Sequence, residues 1–174
     1  MSISKRVRHY VMRHGPAEDA ASSGRDGDRA LTMNGRQRVR AVAHLLRSEG
    51  EVPWRILTSP YVRALQTAEI VAACAEVESQ GGTLQVDCGL QSGRDVVLRA
   101  RALFEQATET TMIVGHEPDM SDVVAELAGI GFSGFEKAMV VCLESRENEG
   151  RLVAGKARVV FVLDPKGLRL NRTP

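Results

Sequence analysis

Three short apolar stretches of this chain each run into a turn that carries basic or histidine side chains. Val7 to Met12 leads into Arg13-His14-Gly15, Ile56-Leu57 into Thr58-Ser59-Pro60-Tyr61-Val62-Arg63, and Met112 to Val114 into Gly115-His116-Glu117-Pro118. Segments with helical spacing lie between these strand-like runs, and an alternation of strand and helix yields a mostly parallel sheet covered by helices. In an open sheet of that kind the loops at the carboxyl ends of the strands gather into one crevice, where ligands bind. Two arginines and two histidines converging there make an anion pocket that contains a nucleophile. The chemistry this suggests is phosphoryl transfer.

The pattern along the chain supports that outline. Arg6 to Met12, rich in β-branched and aromatic residues and followed by Gly15-Pro16, reads as a strand. Pro16 to Asp28 is small, polar and glycine-containing, a long loop of the kind that is often functional. Thr32 can cap a helix running to about Ser48, with Val39, Val42, Ala43 and Leu46 at helical spacing and Gly50 as its stop. Trp54 to Thr58 reads as a strand. Ser59 suits an N-cap and Pro60 a first helical position, for a helix through Ala64, Leu65, Ala68, Val71 and Ala72 to Gly81-Gly82. Further on come a strand over Leu84 to Asp87, a helix over Arg94 to Ala107, a strand over Thr111 to Gly115, and a helix from Asp119 to Ala128 stopped by Gly129. Ala138 to Leu143 and Arg158 to Leu163 then form a closing antiparallel pair joined by a polar, acidic turn. The expected fold class is α/β, a mostly parallel central sheet with helices on both faces.

Composition narrows the function classes. A chain of 174 residues is the length of one domain, and 43% hydrophobic with 26% charged residues is ordinary for a globular protein. A formal net charge of +1 provides no long-range field toward nucleic acid or an anionic membrane, so neither is an expected partner. No apolar run approaches a membrane span, and Arg8 and His9 interrupt the first apolar run where a secretory signal would not tolerate them. A cytoplasmic location is expected. Cys74, Cys88 and Cys142 are odd in number and widely spaced, which argues against a disulfide framework or zinc ribbon. Cys74 and Cys142 fit as small core residues, and Cys88 as a more exposed one. No H-x-H or H-E-x-x-H spacing marks a metal site.

A phosphoryl group in transfer carries charge on three equatorial oxygens, with attacking and leaving atoms in line. Arginine suits those oxygens because its planar fork stays charged and donates in pairs. Arg63, one turn into its helix, can lean back over the strand end, since helical side chains tilt toward the N-terminus. A histidine can attack if it is neutral, and neighbouring arginines disfavour imidazolium. On an ideal strand Arg13 and His14 point to opposite faces, so a shared site requires the backbone to leave the extended form, a freedom Gly15 is expected to provide.

Arg13-His14-Gly15, the segment Ser59-Pro60-Tyr61-Val62-Arg63-Ala64-Leu65-Gln66-Thr67-Ala68, the later Gly115-His116, and Leu31-Thr32-Met33-Asn34-Gly35 resemble the signature of the histidine phosphatase superfamily, which shares the phosphoglycerate mutase-like fold. The short length and Gly115-His116-Glu117-Pro118-Asp119 are similar to its SixA-type phosphohistidine phosphatases. The resemblance spans most of the chain and implies one histidine phosphatase domain over residues 1–174, a hydrolase with no cofactor and no metal. It implies that His14 attacks phosphorus to form a covalent phosphohistidine, while Arg13, Arg63 and His116 hold the phosphoryl oxygens. Arg29 would add a cation to the rim, and phosphate or sulfate would occupy the same place. One helix fills the stretch between Asp87 and Met112, leaving no room for the cap insertion of the mutases. An uncapped pocket can accept a phosphorylated side chain of another protein.

The general acid is the open point of the scheme. Cys88-Gly89-Leu90-Gln91-Ser92 offers no carboxylate where mutase-like members have a glutamate, and none follows until Asp95. Glu117 occupies the position after the second histidine used by another branch. Two arginines beside it should lower its pKa, which is wrong for a proton donor. It could equally orient His116 or cap the following helix. Two other functions fit the same residues: a small-molecule phosphomonoesterase, and a non-catalytic phosphate-binding module.

Overall fold

A computed structural model of the protein describes residues 7–93, 95–145 and 152–173. The strands are β1 (Arg8–Arg13), β2 (Arg55–Thr58), β3 (Thr83–Val86), β4 (Thr111–Gly115), β5 (Val140–Ser145), β6 (Ala157–Asp164) and β7 (Arg169–Arg172). The helices are α1 (Met33–Ser48), α2 (Val62–Cys74), α3 (Val96–Gln106) and α4 (Asp119–Ala128). The strands make one sheet in the order β3-β2-β4-β1-β5-β6-β7. The first four in that order are mutually parallel. The last three add on antiparallel, as β1 with β5, β5 with β6, and β6 with β7.

Strand side chains alternate between two apolar layers, as the pleat requires. Tyr10, Met12, Ile56, Met112, Val114, Val140 and Cys142 pack under α1 and α2, through Val39, Val42, Leu46, Ala64, Ala68 and Val71. Val11, Leu57, Ile113, Val141 and Leu143 face the other way, onto α3 and α4, through Ala100, Phe104, Val123, Val124 and Leu127. Both faces of the central strands are therefore covered, which is why those strands read as unbroken apolar runs.

The mixed α/β class with helices on both faces is as expected, and several boundaries differ. β1 continues to Arg13 because Arg13 still pairs with Gly115 of β4. Ser59 and Pro60 lie outside α2. Tyr61 takes the N-cap position without a side-chain cap, and the helix begins at Val62. The hydroxyl of Ser59 points instead to His116. α2 ends at Cys74, well before Gly81, because Glu76 adopts a left-handed φ of 54° and turns Val77 into the core. A 3-10 turn over Glu78–Gln80 leads to β3. α4 begins at Asp119, and its end before Gly129 is as expected. β7, which the sequence reading lacks, is short and polar and lies at the sheet edge. α3 begins at Val96, with Asp95 at its N-cap, later than the expected start at Arg94, which itself lies outside the described residues, as do the strand start at Arg6 and most of the acidic β5–β6 connection.

Gly15 does not owe its place to backbone freedom, since its φ is not positive. A Cβ there would lie 2.6 Å from Cγ2 of Val39, so the residue is small because the strand end packs against α1. Gly35 has the same role on the other side of that contact. A Cβ on it would lie 2.0 Å from the carbonyl oxygen of Pro16. Thr32 caps α1 as expected, accepting from the Gly35 N–H at 3.0 Å. Its own N–H donates to Pro16 O at 3.1 Å. The Leu-Thr-x-x-Gly pattern is thus the seam where the loop after β1 closes on α1.

Candidate active site

The sheet order inserts β4 between β1 and β2, so the turns after these three strands are neighbours. The His14 N–H donates to Gly115 O at 3.0 Å and the Ser59 N–H to Val114 O at 3.1 Å. His14 and His116 consequently face each other, ring centroids 5.2 Å apart, both nearly buried at 6% and 4% exposure. Arg63, 5% exposed, reaches the same place from the first turn of α2. Its guanidinium lies 4.9 Å from the Tyr61 ring centroid, and that ring is 5.0 Å from the ring of His116.

Each charged or aromatic group is anchored on one side. His14 Nδ1 lies 2.7 Å from Gly15 O, an acceptor only, so Nδ1 carries the proton and the Nε2 lone pair is left free. His116 Nε2 is 2.8 Å from Ser59 Oγ. Arg13 Nη1 donates to Phe135 O at 2.6 Å. Arg63 donates from Nη1 to Asp26 O at 2.7 Å and from Nη2 to Asp26 Oδ2 at 2.9 Å. Arg29 Nη1 donates to Glu18 O at 3.0 Å, and its Nε is 2.8 Å from Asp26 Oδ1. By contrast, Nε of Arg13, Nε of Arg63 and Nδ1 of His116 are buried without a hydrogen-bond partner. Leaving buried polar groups unpaired is costly, and these three belong to residues that surround the cleft.

Burial sets the protonation state. Desolvation is the main cause that lowers the His14 pKa to about 3; the Gly15 carbonyl opposes it, and His116, Arg63 and Arg13 push it lower. The arginines expected to do this do lower it, but they rank behind desolvation and behind the second imidazole. His116 is lowered to about 4, again mainly by desolvation, with Arg63, Arg13 and Arg29 adding to it and Asp26 opposing. Both rings are neutral near pH 7. A neutral imidazole with an unengaged Nε2, beside cationic forks and a second imidazole, can attack an electrophilic phosphorus.

Arg13, His14, Arg63 and His116 therefore meet, and Arg29 joins them at the rim. Glu117 differs from expectation. Desolvation raises its pKa, outweighing the Arg13 charge and the hydrogen bond it accepts from Ser121. That hydrogen bond, Ser121 Oγ to Glu117 Oε1, is 2.6 Å. It does not cap α4, whose N-cap is Pro118 with no side-chain bond. Asp119 accepts from Ser92 Oγ at 2.8 Å, a contact between the β3–α3 connection and α4. Asp87, held by Arg99 at 2.7 Å, lies below its usual pKa because of that hydrogen bond. Among the described residues no group of His, Cys, Asp and Glu could hold a metal ion.

Four contributors escaped the sequence reading: Asp26, Tyr61, Ser59 as the partner of His116, and Thr67. Thr67 Oγ1 donates to Arg63 O at 2.7 Å and accepts from the Gly15 N–H at 3.0 Å, tying α2 to the turn that bears His14. Ser59 and Thr67 stand at defined positions of the Ser-Pro-x-x-Arg-Ala-x-x-Thr segment, so a signal for them existed. Asp26 had none.

The fold and this cleft define a phosphoryl-transfer enzyme of the α/β class. Residues 9–83 match the family model of the histidine phosphatase superfamily (branch 1). An uncharacterized protein of Picosynechococcus is 38% identical over 167 residues, covering 91% of this chain and 97% of its own. The phosphohistidine phosphatase SixA of Escherichia coli is 36% identical over 124 residues, 68% of this chain and 72% of that one. A solved structure of the protein histidine phosphatase SixA complexed with tungstate superposes with a TM-score of 0.79. It is 28% identical and covers 94% of this chain and 100% of that one. The chain belongs to the histidine phosphatase superfamily and is a phosphatase, a phosphoric hydrolase. Among the described residues, no helix is long and apolar enough to cross a membrane.

Proposed function

We propose that the protein removes phosphate from phosphohistidine on another protein, through a covalent phosphohistidine formed on His14. The observation that supports this most directly is the protonation pattern of His14, with Nδ1 bound to a carbonyl and Nε2 free in a buried, cationic cleft. Nε2 attacks phosphorus, the P–N bond to the substrate imidazole breaks, and its electron pair returns to the leaving nitrogen of a ring whose other nitrogen carries the proton, so that neutral imidazole departs. Water then attacks phosphorus, the P–Nε2 bond breaks, and inorganic phosphate leaves. Arg13, Arg63 and His116 donate to the equatorial oxygens in both steps, with Arg29 adding charge at the rim. None of these steps calls on a metal ion.

A protein substrate is favoured because the stretch between β3 and β4 is taken up by a short 3-10 turn and α3, with no insertion over the cleft among the described residues. The similarity to SixA enzymes points the same way. Phosphate or sulfate is expected to bind in the cleft as a product-like anion. Glu117, its pKa raised by burial, is the proposed proton donor for leaving groups that need one.

Incubation with a phosphorylated donor should leave an acid-labile label on His14, absent in His14→Ala, which should also lose turnover. Turnover of a phosphohistidine protein should exceed that of sugar phosphates. A preference for the sugars would assign the site to small-molecule esters instead. Phosphate binding by wild type with no label would leave only a binding module.

A further inference from the structure

Asp26 belongs to the loop after β1, and its carboxylate bridges two of the cations at the cleft. Oδ2 accepts from Arg63 Nη2 at 2.9 Å, while Oδ1 lies 2.8 Å from Arg29 Nε. Its main-chain oxygen accepts from Arg63 Nη1 at 2.7 Å. Both terminal nitrogens of Arg63 are thereby tied to one residue, whereas Nε stays buried and unpartnered. Arg13 shows the same division: Nη1 held by Phe135 O, Nε without a partner. In Arg13 the scaffold supplies that hold through a main-chain carbonyl. In Arg63 it comes from a residue whose side chain is 61% exposed, on a loop outside the sheet.

A guanidinium held by its terminal nitrogens cannot swing about its long side chain. It keeps its remaining N–H groups aimed where a phosphoryl oxygen would accept them. Placing a carboxylate between Arg63 and Arg29 also relieves the repulsion of two like charges that the cleft brings together. On the reading that Arg63 binds the phosphoryl group, we propose that Asp26 is a positioning residue that braces the Arg63 guanidinium for phosphate. The opposite role would be a plug, an internal anion that competes with phosphate for the same arginine. Each terminal nitrogen gives Asp26 one of its two N–H groups, and the second N–H of each, left for a phosphoryl oxygen, favours the brace.

Two neutral variants separate these roles. Asp26→Asn and Asp26→Ala both remove the charge, so electrostatic relief is common to them, but only asparagine keeps a side-chain acceptor for Nη2. The carboxylate is exposed, and ion pairs of that kind contribute little to folding, so both variants should keep the melting temperature of wild type. Titration calorimetry with inorganic phosphate should show D26A binding about tenfold more weakly than D26N. In an Arg63→Ala background the two should agree within about twofold, since a brace on Arg63 adds nothing once it is gone; a difference that persists there would place the effect on Arg29 and overturn the brace. Turnover should follow the same order, with kcat/KM lower in D26A than in D26N. Equal phosphate affinity of D26N and D26A with Arg63 intact, or tighter binding by D26A, would overturn the brace. If R63A alone leaves phosphate affinity unchanged, the assignment of Arg63 to phosphate fails, and the brace fails with it.

Discussion

At the scale of single residues, the cleft works by holding one side of each group and leaving the other free. His14 gives Nδ1 to a carbonyl, and His116 gives Nε2 to Ser59. The proton donor can be tested at the same scale. An alkoxide leaving group needs a proton as the P–O bond breaks, whereas a phosphoimidazole protonated on its other ring nitrogen leaves as neutral imidazole without one. Glu117→Gln should therefore slow phosphoester turnover by about a hundredfold and change phosphohistidine turnover far less. Equal losses on both substrates would remove Glu117 from the role of acid. The residues that bear charge could be read from the sequence because each follows an apolar run. Their partners could not, because Phe135, Asp26 and Ser121 are ordinary residues whose neighbours are fixed only when the chain folds.

At the scale of elements, the seam between the β1 turn and α1 is the sensitive one. Thr32, Gly35 and Pro16 close it, and Gly15 sits between them and His14. Gly35→Ala would force a Cβ against Pro16 O, and overpacking of this sort costs about 1–3 kcal/mol. The displaced Pro16 would also move the Gly15 carbonyl that sets the tautomer of His14. Thr32→Ala removes a cap, a loss of about 1 kcal/mol, without intruding on that carbonyl. Melting temperatures should fall in both variants, but kcat should drop at least about tenfold only in G35A. Comparable kcat in the two would mean that the seam supports folding alone. Helical periodicity revealed α1 and α4 nearly residue for residue. It misjudged both ends of α2, because Ser59 was drawn to His116 and Val77 to the core.

At the scale of the whole molecule, folding itself sets the charge state of the cleft. His14 and His116 fall to about 3 and about 4 because the sheet and helices around them exclude water. An unfolded chain takes up protons on these rings near pH 6.5, and the folded one does not until near 4. The unfolded state therefore binds more protons across that window. The stability these rings contribute is complete above about pH 6.5, falls as pH drops toward about 4, and levels off below about 3. Urea midpoints between pH 7 and 5, above the range where most carboxylates titrate, should show the decline. A double His14→Gln, His116→Gln variant should flatten it. A flat wild-type profile would contradict the buried neutral pair. Turnover limited by His14 should lack an acid limb at pH 6.5.

The sequence by itself determined the class of fold and singled out the side chains proposed to react. Apolar alternation needs only local pattern, and charged residues after short strands stand out against it. Only the tertiary structure decided that β4 would lie between β1 and β2, and this juxtaposition sets two histidines 5.2 Å apart. It also brought Asp26 to Arg63 and dried the cleft enough to keep both rings neutral. Strand order, long-range pairing and desolvation depend on contacts between residues far apart in the chain, and no local stretch encodes them.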